Sequence, residues 1–106
     1  MELKQRILNS LPRGYTNRIS RPALLSKLPD ISDRVMRAEI EELRRNDPDG
    51  AWICSSTDGG YWLAESLSEL DSFLNQDAHR GHVILERVNA QRTHARHSAW
   101  AQGSLF

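Results

Sequence analysis

Turn-forming residues divide the first half of the chain into short apolar segments. Pro-Arg-Gly at residues 12–14, Pro-Asp-Ile at 29–31 and Asn-Asp-Pro-Asp-Gly at 46–50 each interrupt apolar residues that recur at helical spacing. Proline lacks a backbone donor and fixes φ, so these segments cannot join into one long helix. The sequence therefore predicts three short helices in succession, which bury their apolar faces by packing against one another.

Serine residues mark the expected starts of the second and third helices. Ser20 and Ser32 each stand at the beginning of an apolar pattern, where a hydroxyl can accept a hydrogen bond from an unpaired amide of the first turn. Pro22 falls in the first turn of the second helix, where its missing N–H has no partner to lose. At about 100° per residue, the inward arc of the third helix comprises Val35, Met36, Glu39, Ile40 and Leu43.

A β-hairpin is expected directly after the third helix. Two runs rich in aromatic and apolar residues, at 52–55 and 61–64, flank the turn sequence Thr-Asp-Gly-Gly at 57–60. Beyond them Ser66 and Glu69 have the spacing of a capping box, in which each side chain bonds the backbone amide of the other. The sequence therefore predicts a hairpin followed by a further helix, with residues 13–19 forming a loop.

Charge is unevenly distributed although the net charge is zero. Residues 1–45 hold ten basic and six acidic residues, residues 46–78 hold seven acidic residues and no lysine or arginine, and residues 79–106 hold four arginines and one glutamate. The basic first part can present a positive field to an anionic partner such as nucleic acid. The alternative is a solvated surface of mixed charge, which binds nothing.

Length and composition favour one cytoplasmic domain. The 106 residues fit a single domain of ordinary size. No apolar stretch approaches the ~20 residues that span a bilayer, and the first residues lack the basic-then-apolar profile of a secretion signal. The single cysteine cannot form an internal disulfide, as expected in a reducing compartment. We therefore expect a cytoplasmic protein without membrane contact.

The turn between the second and third predicted helices is short, as in helix-turn-helix units, whose second helix enters the DNA major groove. The outward arc of the third helix carries Asp33, Arg34, Arg37, Ala38, Glu41, Arg44 and Arg45. Guanidinium groups on this arc can reach guanine edges or phosphates. The alternative is a surface ladder of ion pairs, because Arg37, Glu41 and Arg45 are spaced four residues apart.

Two segments of the sequence resemble winged helix-turn-helix domains. They are residues 32–45, Ser-Asp-Arg-Val-Met-Arg-Ala-Glu-Ile-Glu-Glu-Leu-Arg-Arg, and residues 60–65, Gly-Tyr-Trp-Leu-Ala-Glu. The similarity is to the amino-terminal domain of the biotin repressor and to small winged-helix proteins of phages and prophages, and it covers residues 3–65. It implies an α+β, mainly helical fold with three helices and a β-hairpin wing. It also implies that the protein binds double-stranded DNA as a regulator of transcription or replication, with Asp33, Arg34 and Arg37 reading bases.

Phosphate contacts are expected from basic residues around that helix. Arg44 and Arg45 lie at its end, and Arg18 and Arg21 lead into the second helix, whose N-terminus favours an anion.

The expected wing tip is acidic instead of basic. Ser56 and Thr57 offer hydroxyl groups to the DNA backbone there, whereas Asp58 repels phosphate. The acidic hairpin and the zero net charge leave an alternative, a winged-helix module that binds a protein instead of DNA, with Trp62 as the contact.

The region after the hairpin sets the expected oligomeric state. Positions 67, 70, 74, 77, 81, 84 and 88 have coiled-coil spacing, but Asp77 and Gly81 interrupt the apolar seam. Either one continuous helix pairs with a second copy, or the helix breaks near Gly81 and folds back on the core. We expect a homodimer through this region. The expected boundaries are a winged helix-turn-helix domain at 1–65, a C-terminal helical extension at 66–97 and a polar tail at 98–106.

Neither catalysis nor metal binding is expected. His79 and His82, like His94 and His97, are three residues apart, but no thiolate lies nearby and the arginines between them repel a cation. The sequence contains no nucleophile–base arrangement, paired carboxylates or phosphate-cradling loop. We therefore expect no enzyme activity, cofactor or metal.

Overall fold

The computed structural model of the chain describes residues 2–77 and 82–97. This part of the chain has an α+β fold with five α-helices and one three-stranded antiparallel sheet. In chain order the elements are α1 (Leu3–Ser10), β1 (Ile19–Ser20), α2 (Arg21–Ser26), α3 (Asp33–Asn46), β2 (Ile53–Ser55), β3 (Gly60–Leu63), α4 (Leu67–Asp77) and α5 (His82–Arg96). The expectation of a mainly helical α+β fold is confirmed.

Both predicted serine caps are present. The hydroxyl of Ser20 accepts a hydrogen bond from the amide of Ala23 at 3.2 Å, and the hydroxyl of Ser32 accepts one from the amide of Val35 at 3.2 Å. Each bond satisfies an amide that has no partner within its own helix. The two caps therefore define where α2 and α3 begin, and with them the direction in which α3 leaves the turn.

The sheet places β3 in the middle, in the order β1-β3-β2. Cys54 of β2 pairs with Trp62 of β3, and Ile19 of β1 pairs with Tyr61 on the other side. The predicted hairpin is confirmed, but the prediction of a loop over 13–19 is wrong at Tyr15–Asn17, which form a 3-10 turn, and at Ile19, which belongs to β1. A strand of two residues is too short to produce a pattern in the sequence, and it exists only because β3 has a free edge.

The hairpin turn depends on a glycine. Gly59 has a φ of +89°, which a residue with a Cβ rarely adopts. This conformation lets the amide of Gly59 donate to the carbonyl of Ser56 at 3.0 Å, while the amide of Ser56 donates to the carbonyl of Gly60 at 2.9 Å. The Asp-Gly sequence therefore predicted the turn correctly, because the turn requires the positive φ that glycine adopts.

All five helices and the sheet contribute to one core, which includes Ile7 of α1 and Leu24 of α2. On α3 it includes Met36, Ile40 and Leu43, as predicted. Val35 was expected on the same inward arc but is 46% exposed, because it lies about 100° around the helix from Met36 and beyond the reach of the packed elements. Trp52 is completely buried in a 3-10 turn over residues 50–52 that packs against both α3 and α5.

The C-terminal region contains two packed helices instead of one. A side-chain amide oxygen of Asn75 in α4 accepts a hydrogen bond from Arg92 in α5 at 2.5 Å, although 17 residues separate them. One continuous helix would hold these residues about 25 Å apart at 1.5 Å per residue. The expectation of a single additional helix is therefore wrong, and the folded-back alternative describes the structure. The break predicted at Gly81 lies outside the described residues.

The folding back of α5 uses the apolar residues that were expected to form a dimer seam. Leu70, Leu74 and Val88 are fully buried within the chain. Among the described helices none is both long enough and apolar enough to cross a lipid bilayer.

Candidate nucleic-acid interface

The amino-terminal end of α3 brings three of the predicted DNA-contacting arginines together. The carboxylate of Asp33 lies between two of them, with Oδ1 3.3 Å from Nε of Arg21 and Oδ2 2.9 Å from Nε of Arg37. Arg34 is exposed and forms no hydrogen bond or ion pair with any residue in the described part of the chain. Two guanidinium groups therefore share one carboxylate and the third has none, so this end of the helix is positively charged.

Local structure explains this arrangement. Arg21 is the first residue of α2, directly after the Ser20 cap, and Asp33 is the first residue of α3, directly after the Ser32 cap. The two helix starts are adjacent in space, since the ion pair joins them. A carboxylate in the first turn is also favoured by the positive end of the helix dipole. Asp33 therefore positions Arg21 and Arg37 on one surface.

Arg44 is not part of this surface, contrary to the prediction. Its side chain is 5% exposed, and its guanidinium lies 5.9 Å from the ring centre of Tyr61 and 5.8 Å from that of Phe73. Burial lowers the pKa of Arg44, and the neighbouring Arg87 guanidinium lowers it further. Arg44 lies only about 80° around the helix from Met36, so the helices that cover the core also cover this side chain.

Glu41 is the ion-pair partner at the covered half of α3. Its Oε1 lies 3.4 Å from Nε of Arg87 and 3.6 Å from Nη1 of Arg44, and its Oε2 lies 3.6 Å from Nε of the half-buried Arg45. The predicted surface ladder is therefore realised only in part: Arg45 pairs with Glu41, but Arg37 pairs with Asp33. The role of Arg87 was missed, because the sequence pattern contains no signal for which helix docks against α3.

The wing tip is held together internally. Asp58 accepts a hydrogen bond from the hydroxyl of Ser56 and one from the amide of Gly60 at 3.2 Å, and its Oδ2 lies 3.3 Å from Nη2 of Arg18. These contacts lower the pKa of Asp58, with the Ser56 hydroxyl as the largest cause. Arg18 and Ser56, both predicted to contact DNA, thus support the turn itself, whereas Thr57 is exposed.

Trp62 is buried, contrary to its expected role as an exposed contact. It is 4% exposed, and its Nε1 donates a hydrogen bond to Oε1 of Glu69 at 2.8 Å. The predicted capping box is consequently half formed: the Ser66 hydroxyl accepts from the amide of Glu69 at 3.1 Å, but the Glu69 carboxylate binds Trp62. The burial removes the observation that favoured a protein partner at this residue.

Metal ligands do not cluster in the described residues. No group of three or more histidine, cysteine, aspartate or glutamate side chains there has the geometry to hold a metal ion. His79 lies outside the described part of the chain.

Comparisons with known proteins give no match: no protein-family model, curated protein or solved structure is similar to this chain.

Proposed function

We propose that this chain binds duplex DNA as a winged helix-turn-helix protein, with the amino-terminal half of α3 in the major groove. Two capped helices joined by a short turn precede a β-hairpin, which is the arrangement that the winged-helix resemblance implies. In helix-turn-helix complexes the first residues of the second helix contact base edges. Arg34 and Arg37, both exposed, lie at that same end of α3.

The charged surface of Arg21, Arg34 and Arg37 is the observation that carries this proposal. Arg34 is free to reach a base edge, and a guanidinium can donate two hydrogen bonds to one guanine. Arg37 lies one helical turn further along α3, and Arg21 lies beside it at the start of α2. We assign Arg34 and Arg37 to bases and Arg21 to phosphate, where a helix N-terminus adds its own positive end.

The packing of α5 limits how much of α3 can enter a groove. Arg44 is excluded, because it is buried under α5 and α4. Arg45 is half-buried and can contact phosphate only at the edge of the interface. The hydroxyl of Thr57 is the contact that the wing offers, since Asp58 already neutralises Arg18. The proposed interface is therefore small and centred on the start of α3.

A random-site DNA selection followed by fluorescence anisotropy tests the proposal. We expect the full chain to bind selected duplexes, and Arg34→Ala with Arg37→Ala to lower the affinity by at least about thirtyfold, since each base-contacting arginine contributes about 1–3 kcal/mol. Lys4→Ala with Arg96→Ala removes the same charge from exposed positions on α1 and α5 and serves as the matched control, with affinity changed by less than about threefold.

The salt dependence gives an independent measurement. Each phosphate contact contributes about 0.9 to the slope of log affinity against log salt concentration, so Arg21→Ala should lower that slope by about one. The proposal is wrong if no duplex binds at moderate salt, or if the control pair weakens binding as much as the Arg34 and Arg37 pair. The same selection would identify the target sites of a bacterial or phage regulator of transcription, which is the role that the resemblance implies.

A further inference from the structure

The two arginines that share the Asp33 carboxylate approach it through the same atom. Oδ2 lies 2.9 Å from Nε of Arg37, and Oδ1 lies 3.3 Å from Nε of Arg21. Each carboxylate oxygen therefore has one guanidinium partner. The two terminal Nη groups of Arg37 have no hydrogen-bond partner in the described part of the chain, and 52% of its side chain is exposed. Asp33 thus holds Arg37 at Nε and leaves its two outer donors available.

This ion pair restricts Arg37 before any ligand binds. Asp33 and Arg37 are four residues apart on α3, a spacing at which opposite charges meet on one helix face. The carboxylate is itself held from a second side, because Arg21 of α2 pairs with its other oxygen. An arginine that is mobile in the free protein loses rotamer freedom when it binds, and this loss weakens binding. Arg37 incurs less of that loss, since its position is already fixed.

A fixed guanidinium distinguishes between bases better than a mobile one does. The Nη groups of Arg37 are two donors, and guanine presents two acceptors, N7 and O6, in the major groove. Adenine presents an acceptor and a donor there, so one donor of the fixed guanidinium would face a donor of the base. Phosphate oxygens accept from arginine at any sequence, but a carboxylate next to Arg37 repels them. The surroundings of Arg37 therefore favour guanine over both adenine and phosphate.

We propose that Asp33 is a positioning residue that makes Arg37 specific for guanine while lowering the overall affinity for DNA. This inference rests on the proposed function, and it differs from the direct base contact that the resemblance implies for Asp33. Both oxygens of Asp33 are already paired, so the carboxylate acts through Arg37. Specificity is a difference between two affinities, and a charge that weakens the wrong contact increases it.

Random-site selection with single variants of the full chain tests the inference one base position at a time. The position at which Arg37→Ala removes a guanine preference is the base that Arg37 contacts, and Arg34→Ala identifies the second position in the same way. We expect Asp33→Ala to lower the ratio of guanine to adenine affinity at the Arg37 position about fivefold, because the guanidinium becomes mobile. The Arg34 position should change by less than about twofold, since Arg34 has no contact with Asp33. Equal relaxation at both positions would overturn the proposal, because a general loss of structure has that effect.

Affinity for a duplex without the selected site should change in the opposite direction. Asp33→Ala removes a negative charge from the interface, and we expect it to bind such a duplex about threefold more tightly at about 0.1 M salt. Glu42→Ala is the matched control, which removes the same charge from an exposed position on the opposite side of α3. It should change neither the guanine ratio nor this affinity by more than about twofold. Asp33→Asn retains an oxygen beside Arg37 and should lower the ratio less than Asp33→Ala does.

The restriction of Arg37 can also be measured without DNA. Nitrogen NMR relaxation of the arginine side chains reports how mobile each Nε is. In the unchanged chain we expect Nε of Arg37 to be more rigid than that of Arg34, and in Asp33→Ala the two should be equally mobile. Circular dichroism checks that the variant is folded. Equal mobility of Arg34 and Arg37 in the unchanged chain would overturn the proposal.

The outcomes separate this inference from the proposed function. If the unchanged chain binds no duplex, both are wrong. If it binds with a guanine preference that requires Arg37 but is the same in Asp33→Ala, DNA binding stands and the role of Asp33 is wrong. If Asp33→Ala instead removes a cytosine preference and leaves guanine unchanged, Asp33 reads a base directly, and the proposal is wrong as well.

Discussion

Two guanidinium groups and one carboxylate meet where α5 covers α3. Arg44 and Arg87 are both buried, and Glu41 lies within 3.6 Å of each. The Nε and Nη2 atoms of Arg44 are buried without a hydrogen-bond partner among the described residues. A buried charge in excess of its partners costs more in desolvation than it regains. We therefore expect Arg44 to destabilise the fold.

We expect Arg44→Met to raise the free energy of unfolding by about 1–2 kcal/mol, as replacements of buried charges by apolar side chains often do. Methionine retains the contacts with the rings of Tyr61 and Phe73, and Arg87 keeps Glu41 at 3.4 Å as its partner. Urea denaturation followed by tryptophan fluorescence measures the change. Glu41→Gln is the opposing control, which removes the carboxylate that pairs with Arg44 and should lower stability. A lower free energy of unfolding in Arg44→Met would show that Arg44 stabilises the protein.

At the scale of elements, an ion pair ties α1 to the turn between α2 and α3. Nη1 of Arg6 donates a hydrogen bond to Oδ2 of Asp30 at 2.8 Å, and Nη2 donates to Oδ1. These bonds to Arg6 lower the pKa of Asp30 to about 2. The unfolded chain has a value of about 3.9, so the pair stabilises the fold above that pH and loses its contribution as pH falls towards about 2.

Asp30→Asn should therefore lower the urea midpoint at pH 6 and have progressively less effect from about pH 4 to pH 2. Denaturation curves of both chains across this range measure the difference. Carboxyl NMR of Asp30 supplies a direct check on the same ion pair. An Asp30 pKa near 3.9, or a difference between the chains that does not change with pH, would contradict the contribution of this pair.

The elements that could be predicted are those with local causes. The serine caps and the hairpin turn depend on residues that are neighbours in sequence. Ser20, Ser32 and Gly59 were therefore sufficient to predict them. The docking of α5 could not be predicted in the same way. It depends on Gln91, whose Nε2 donates hydrogen bonds to the carbonyls of Ala51 at 2.9 Å and Ile53 at 3.1 Å across the core. From the sequence alone, a buried glutamine cannot be distinguished from one on the surface.

The same division applies to the candidate site. Helical periodicity correctly placed Arg34 and Arg37 on the outside of α3. It placed Arg44 there as well, because periodicity describes one helix and contains nothing about the helices that pack against it. The same limit of sequence patterns applies to Trp62. Successive side chains of a strand point to opposite faces of the sheet, but this alternation does not indicate which face α4 covers.

At the scale of the whole molecule, the expected boundary between residues 65 and 66 cuts through one core. Leu43 and Trp52 are fully buried in α3 and the 3-10 turn that α5 packs against, and Val88, Gln91 and Ala95 of α5 are buried with them. Without α5, the two carbonyls that Gln91 bonds lose their donor, and the apolar side chains beneath become exposed. Each lost hydrogen bond to a buried group costs about 1–3 kcal/mol.

A fragment of residues 1–65 should therefore lack a cooperative thermal transition, because these losses are comparable with the 5–15 kcal/mol or so that stabilises a small domain. Near-ultraviolet circular dichroism of the buried Trp52 and Trp62, with the full chain as the reference, measures the loss of packing. Binding of a fluorescent apolar dye to the fragment at 25 °C would report the exposed core. A fragment that melts cooperatively within a few degrees of the full chain would instead show that the first 65 residues form a domain of their own, with α4 and α5 docked on its surface.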